Sequence, residues 1–299
     1  MALKTVKATL NGTEYTLTLN SSTGKYEANI TAPSSSSYSQ EDHAYGISVT
    51  ATDDAGNSTT VNRNHSTLGS KLKLTVKETV APVIKSLSIT DGSTITSNMP
   101  TVTFDITDND SGVNPSKITV TFDGSTVYDA DSITKTSITG GYRCSLTPST
   151  ALSDGAHTIL ITGYDNDGNK GTSESVSFKV DTTPPTLSVS SPANNLVTNQ
   201  STVTVVGTTN DATSSPVTLK INETAVTVSS DGSFTHNVTL TEGSNTITIV
   251  ATDAAGKSST VTRTVVKNTS APTFSDISIT PNPVNTSSVF KISVTVSDS

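Results

Sequence analysis

Read for polarity alone, the chain falls into short stretches in which apolar and polar residues alternate, each closed by Gly, Asn, Asp or Pro. In TITIVA, Ile247, Ile249 and Ala251 lie on one side of an extended chain, while Thr246, Thr248 and Val250 lie on the other. Period-two alternation over six residues marks a strand with one face buried. No segment keeps a helical period. The pattern predicts an all-β protein in which each strand contributes one aliphatic row to a layer interface.

The alternating stretches recur in a fixed order. ISVTATDDAGNSTTVNR from Ile47, ILITGYDNDGNKGTSES from Ile159 and ITIVATDAAGKSSTVTR from Ile247 are copies of one strand–turn–strand unit. Each runs into a closing strand and a Pro linker: LKLTVKETVAP, VSFKVDTTPP and TVVKNTSAP. A second segment follows each linker, beginning at Ser86, Leu187 and Asp276. A third, between those two, aligns Tyr26 with Tyr142 and Phe234, Ala28 with Cys144 and His236, and Ile30 with Leu146 and Val238. About seven short strands per repeat, separated by Gly, Asn, Asp and Pro turns, indicate a β-sandwich. Pro cannot donate to a ladder, so each linker ends a sheet. The expected domains are 1–79, a sandwich without its opening strands; 80–182 and 183–270, each complete; and 271–299, the opening strands of a further repeat. Strands of about 8 residues at ~3.3 Å each make three such domains an elongated rod of about 100 Å.

VDTTPP at 180–185, the turns ATDDAGN and ATDAAGK, and ITPNPV at 279–284 resemble bacterial immunoglobulin-like repeats of adhesins, cell-wall proteins and phage tail proteins. The resemblance implies tandem Ig-like sandwiches and a non-catalytic structural or adhesive role at a bacterial surface or in a prophage tail. It implies as partners the other structural proteins of such an assembly, or cell-surface glycans. The alternatives are a cell-wall carbohydrate-binding module and the accessory region of a larger surface enzyme. The place is then a virion or the cell exterior. The start MALKTVKATL shows no secretory leader.

Composition sharpens the picture in a few places. Hydrophobic residues make up 32% of the chain and charged ones 15%, so the polar bulk is Ser and Thr, and the domains have thin cores with Thr-covered faces. One cysteine, Cys144, and no Trp mean that aliphatic packing must hold each core without an internal disulfide. Cys144 reads as a small buried apolar residue and His236 as a partly buried packing residue. A net charge of −8 and a pI near 4.9 argue against nucleic-acid binding. No stretch approaches the roughly 18 apolar residues of a membrane span.

Catalytic chemistry has no local signature. GxSxG and HExxH are absent, and His43, His65, His157 and His236 share no ligand spacing. An intramolecular Lys–Asn bond would need Lys, Asn and an acid together in an apolar core, and no such trio can be picked out. Carboxylates do cluster: Asp105, Asp108 and Asp110 in FDITDNDSG, Asp165 and Asp167 in GYDNDGN, and Asp181 at a linker. If they converge, calcium is the expected ligand, since it takes several loop oxygens. Against this, Asp and Asn are ordinary turn formers, and the third domain offers Asn210 and Asp211 at the matching loop and NTS where the second has DTT. The long loop APSSSSYSQEDHAYG carries Tyr38, Asp42 and Tyr45, candidates for ligand contact. Because the two ends of the chain hold complementary parts of one repeat, the expectation is a parent chain continuing past Ser299, head-to-tail self-association through 271–299, or a first unit that is stable with fewer strands.

Overall fold

A computed structural model describes residues 3–298. It is 53% strand and 3% helix, and it divides into two compact units, Met1–Val180 and Asp181–Ser299.

The first repeat contains β1 (Leu3–Leu10), β2 (Thr13–Asn20), β3 (Lys25–Glu27), β4 (Tyr45–Asp53), β5 (Ser58–Val61) and β6 (Lys73–Leu74). All six strands form one sheet, ordered β3-β2-β1-β4-β5 with β6 on β4. This departs from the two-layer sandwich expected of it. The reason lies in pairing. With no second sheet packed on it, β4 shows only Tyr45 fully buried, and its remaining residues stay half-exposed.

The second repeat contains β7 (Val83–Lys85), β8 (Ser93–Ile95), β9 (Val102–Thr107), β10 (Val113–Phe122), β11 (Thr126–Tyr128), β12 (Thr134–Ile138), β13 (Gly141–Leu146), β14 (Gly155–Asp165), β15 (Lys170–Thr172) and β16 (Val176–Val180). It is a sandwich of β12-β13-β9-β7 on β11-β10-β14-β16-β8. Between the layers lie Phe104, Ile106, Ile118, Phe122, Ile159, Ile161 and Phe178. Cys144 is in this core, its thiol pushed up to about 11 by burial.

In the second unit, the third repeat contains β17 (Thr186–Ser191), β18 (Leu196–Thr198), β19 (Thr202–Asn210), β20 (Thr218–Ile221), β21 (Thr224–Val226), β22 (Ser233–Thr239), β23 (Gly243–Thr252) and β24 (Ser258–Lys267). Here β17-β19-β22 packs on β18-β24-β23-β20-β21 around Val205, Leu219, Ile221, Phe234, Ile247, Ile249 and Val265. His236 is half-buried opposite Val205, the packing position predicted for it. Strands β25 (Thr273–Thr280) and β26 (Lys291–Ser297) form an antiparallel hairpin, with Ile277 opposite Val294 and both exposed.

One turn recurs in all three repeats. Asn11-Gly12, Asp123-Gly124 and Asn222-Glu223 join β1 to β2, β10 to β11 and β20 to β21, each pair with both φ positive. At Asn11-Gly12 and Asn222-Glu223 that is the two-residue hairpin geometry whose twist matches the strands it joins, which explains the Asn-Gly choice; between β10 and β11 Ser125 lengthens the loop to three residues, with Phe122 opposite Thr126.

Candidate functional site

Inward rows in both sandwiches run past their last apolar residue and end on an aspartate. In β14 the buried row is His157, Ile159, Ile161, Gly163 and Asp165; in β23 and the residue after it, Ile247, Ile249, Ala251 and Asp253. The row through β9 is Val102, Phe104, Ile106 and then Asp108; through β19 it is Val203, Val205, Gly207, Thr209 and then Asp211. Alternation that buries the core therefore also turns these carboxylates inward at one end of each sandwich. A third acid arrives from the linker that enters each repeat: Glu78 in the second, Asp181 in the third. Carboxylate oxygens of Glu78, Asp108 and Asp165 lie within 4.8 Å of one another, and so do those of Asp181, Asp211 and Asp253.

Asp165 opens a tight turn that its own side chain organises. Its Oδ1 accepts from the amides of Gly168 (2.6 Å) and Asn169 (2.8 Å), and its Oδ2 accepts from the Asn169 side chain (2.6 Å). Gly168 sits at φ +99° to complete the turn, a conformation that side chains resist. Asp108 Oδ1 accepts from the amides of Asp110 and Gly112. Glu78 Oε1 accepts from the Ser111 amide at 2.8 Å. Burial raises the Glu78 carboxyl above its usual range, and the charges of Asp108 and Asp110 push it the same way, against the Ser111 hydrogen bonds.

Of the six aspartates singled out in the sequence, only Asp108 and Asp165 share a triad within the first unit. Asp105 instead forms a two-pronged ion pair with Arg143 on the adjacent strand (2.8 and 3.0 Å), which lowers its pKa. Both Asp110 oxygens accept from the Ser36 amide (2.9 and 3.0 Å). Asp167 Oδ2 accepts from the Glu78 amide, and its carbonyl accepts from Lys77 Nζ. Asp181 lies with Asp211 and Asp253. Glu78 and Asp253 were missed as site residues, and Asp211 was weighed only as a sparser match to the second domain's loop, because the linker was matched to the repeat it leaves and not to the one it enters. The available signal was positional: Glu78 and Asp181 each lie four residues before a linker proline, and Asp165 and Asp253 open copies of one turn.

The long loop of the first repeat is engaged structurally. Tyr45, expected on an exposed surface, is buried, and its hydroxyl donates to the Ser35 carbonyl (3.3 Å). Ser37 bridges the His43 and Val76 carbonyls. Tyr38 stacks on His43 with ring centroids 4.3 Å apart. Asp42 is exposed and held by Lys73 and Arg63, which lower its pKa. A cleft of about 430 Å³ lies between Ser35, Glu78, Val83, Asp108 and Asp110. No lysine among the described residues is buried, so the core-buried Lys–Asn bond finds no donor. Neither triad includes imidazole or thiolate, so both offer only hard oxygen ligands.

Residues 79–182 match the family described as bacterial Ig-like domain, and residues 185–269 match glucodextranase, domain B. Over 126 residues the chain is 29% identical to Bacillopeptidase F of Bacillus subtilis (strain 168), which is 42% of this chain and 9% of that protein. A three-Ig fragment of titin shares 12% identity over 88% of this chain and 87% of its own, with a TM-score of 0.45. The fibronectin(III)-like modules of Clostridium thermocellum CbhA share 16% identity over 62% and 94%, with a TM-score of 0.34. No helix among the described residues is long and apolar enough to cross a membrane.

Proposed function

We propose that these bacterial Ig-like repeats serve as a non-catalytic spacer in a bacterial surface or phage tail apparatus, outside the cell. One observation carries the reading: within the first unit, the connection between the first two repeats is pinned. The amide of Glu78 donates to Asp167, its carboxylate accepts from Ser111, and its carbonyl accepts from Asn169. Lys77 reaches the Asp167 carbonyl, and Ser36 donates to Asp110 from the other side. A linker held at all three polar groups of Glu78 and at the Lys77 ammonium transmits force and orientation, whereas modules meant to search for ligands independently are better served by loose tethers. The one long loop is part of this clamp, which leaves Tyr38 as its main accessible aromatic.

Sedimentation with purified cell walls tests this. The chain should remain in the supernatant, and Tyr38→Ala should change nothing. Retention on the walls that is lost in Tyr38→Ala would replace the spacer with a glycan-binding module. A second reading, as the accessory segment of a larger peptidase, is favoured by the similarity to 9% of Bacillopeptidase F.

A further inference from the structure

We infer that Asp181, Asp211 and Asp253 form a binding site, inside the second unit, for one divalent cation of the calcium class. The three residues are 0%, 7% and 5% exposed, and one carboxylate oxygen of each lies within 4.8 Å of the others. No pair is therefore farther apart than about twice a calcium–oxygen distance of roughly 2.4 Å, the limit for ligands around one ion.

The decisive feature is how the remaining oxygens are used. One oxygen of each carboxylate is fixed by backbone amides. Asp181 Oδ1 accepts from Thr183, Asp211 Oδ1 from Thr213 and Ser214, and Asp253 Oδ1 from Lys257. The other oxygens of Asp181 and Asp253 are buried with no hydrogen-bond partner, and so is the Ser214 hydroxyl on the Asp211 loop. Buried carboxylate oxygens are costly without a donor or a cation. None of the three acids enters an ion pair among the described residues.

The sibling turns show what an internally satisfied version looks like. Asn57 donates its side-chain amide to the second oxygen of Asp53, and Asn169 does so to Asp165. The third repeat has Lys257 at this position, and its side chain makes no such bond, so the second Asp253 oxygen is left buried without a donor. Three carboxylates with no imidazole or thiolate select a hard cation over zinc or copper. Deep burial disfavours magnesium, which keeps several waters. Bound there, the ion would tie the entry residue Asp181 to the 211–214 and 253–257 loops.

The test uses the full chain. All seven tyrosines lie before residue 181 and there is no Trp, so tyrosine fluorescence follows the first unit while calorimetry follows both. Millimolar CaCl2 in place of EGTA should raise the transition that tyrosine does not report, with MgCl2 giving a smaller shift. Isothermal titration should show calcium affinity falling by about tenfold or more in Asp253→Asn and in Asp211→Asn. In EGTA, Asp253→Asn should melt no lower than the parent, because it removes one of three mutually repelling charges. The inference is overturned by the absence of any calcium shift, by a shift that both variants retain, or by an Asp253→Asn chain that is equally destabilised with and without calcium.

Discussion

Replacing Ile249 by Ala, with Val250→Ala as its control, asks whether alternation along β23 sets the stability of the third repeat. Ile249 is wholly buried, opposite Ile221 on one side and Val261 on the other. Truncation removes three carbons, about 2.4 kcal/mol at ~0.8 per methylene. A rigid two-layer core collapses only partly into the void, which brings the cost to about 3–4 kcal/mol. For a domain of about 60–100 residues, at roughly 4–8 °C per kcal/mol, the melt should fall by more than about 12 °C. Val250 is the next residue, equally apolar, but it points outward and is half-exposed, so its truncation should cost less than about 1 kcal/mol. Calorimetry of the full chain reads the third repeat, while tyrosine fluorescence, confined to the first unit, should not move. A Val250→Ala loss equal to that of Ile249→Ala would refute the assignment of faces. A parallel drop in the tyrosine transition would refute separate cores.

The first unit carries its own predictions. Burial of His157 opposes protonation, but the Ser153 carbonyl and the Asp123 carboxylate accept from its two ring nitrogens at 2.8 Å each, and the net pKa is raised above 6.5. A raised folded pKa stabilises fully below the unfolded value and loses its contribution as pH climbs through the folded one. The tyrosine-detected melt should therefore decline on the alkaline side of 6.5, and His157→Gln should flatten that decline; a melt that rises over this range contradicts the pairing. Asp110→Ala strips the acceptor from the buried Ser36 amide and should cost about 1–3 kcal/mol. Hydrogen exchange at Ser36 should speed up, and unchanged protection there would mean that the loop is held by something else.

Alternation already specified the strands and, in the second and third repeats, their inward faces, because a strand's side-chain period is two wherever it sits. The inward row of β23 is the clearest case: Ile247, Ile249 and Ala251 were readable from TITIVA and are the residues buried. The local order of residues also marked Asp165 and Asp253 as turn-openers, since an Asx side chain satisfies backbone amides within a few positions of itself. It did not show that the first repeat would remain a single sheet, because that depends on whether a strand from elsewhere in the chain covers it. Nor could it bring Asp181, Asp211 and Asp253 together, or send Asp105 to Arg143 and Asp110 to Ser36. Those meetings join positions tens of residues apart, and only strand pairing and sheet stacking select which loops share an end of the sandwich. Periodicity reports which way a side chain faces, and its neighbours follow from the packing of distant segments.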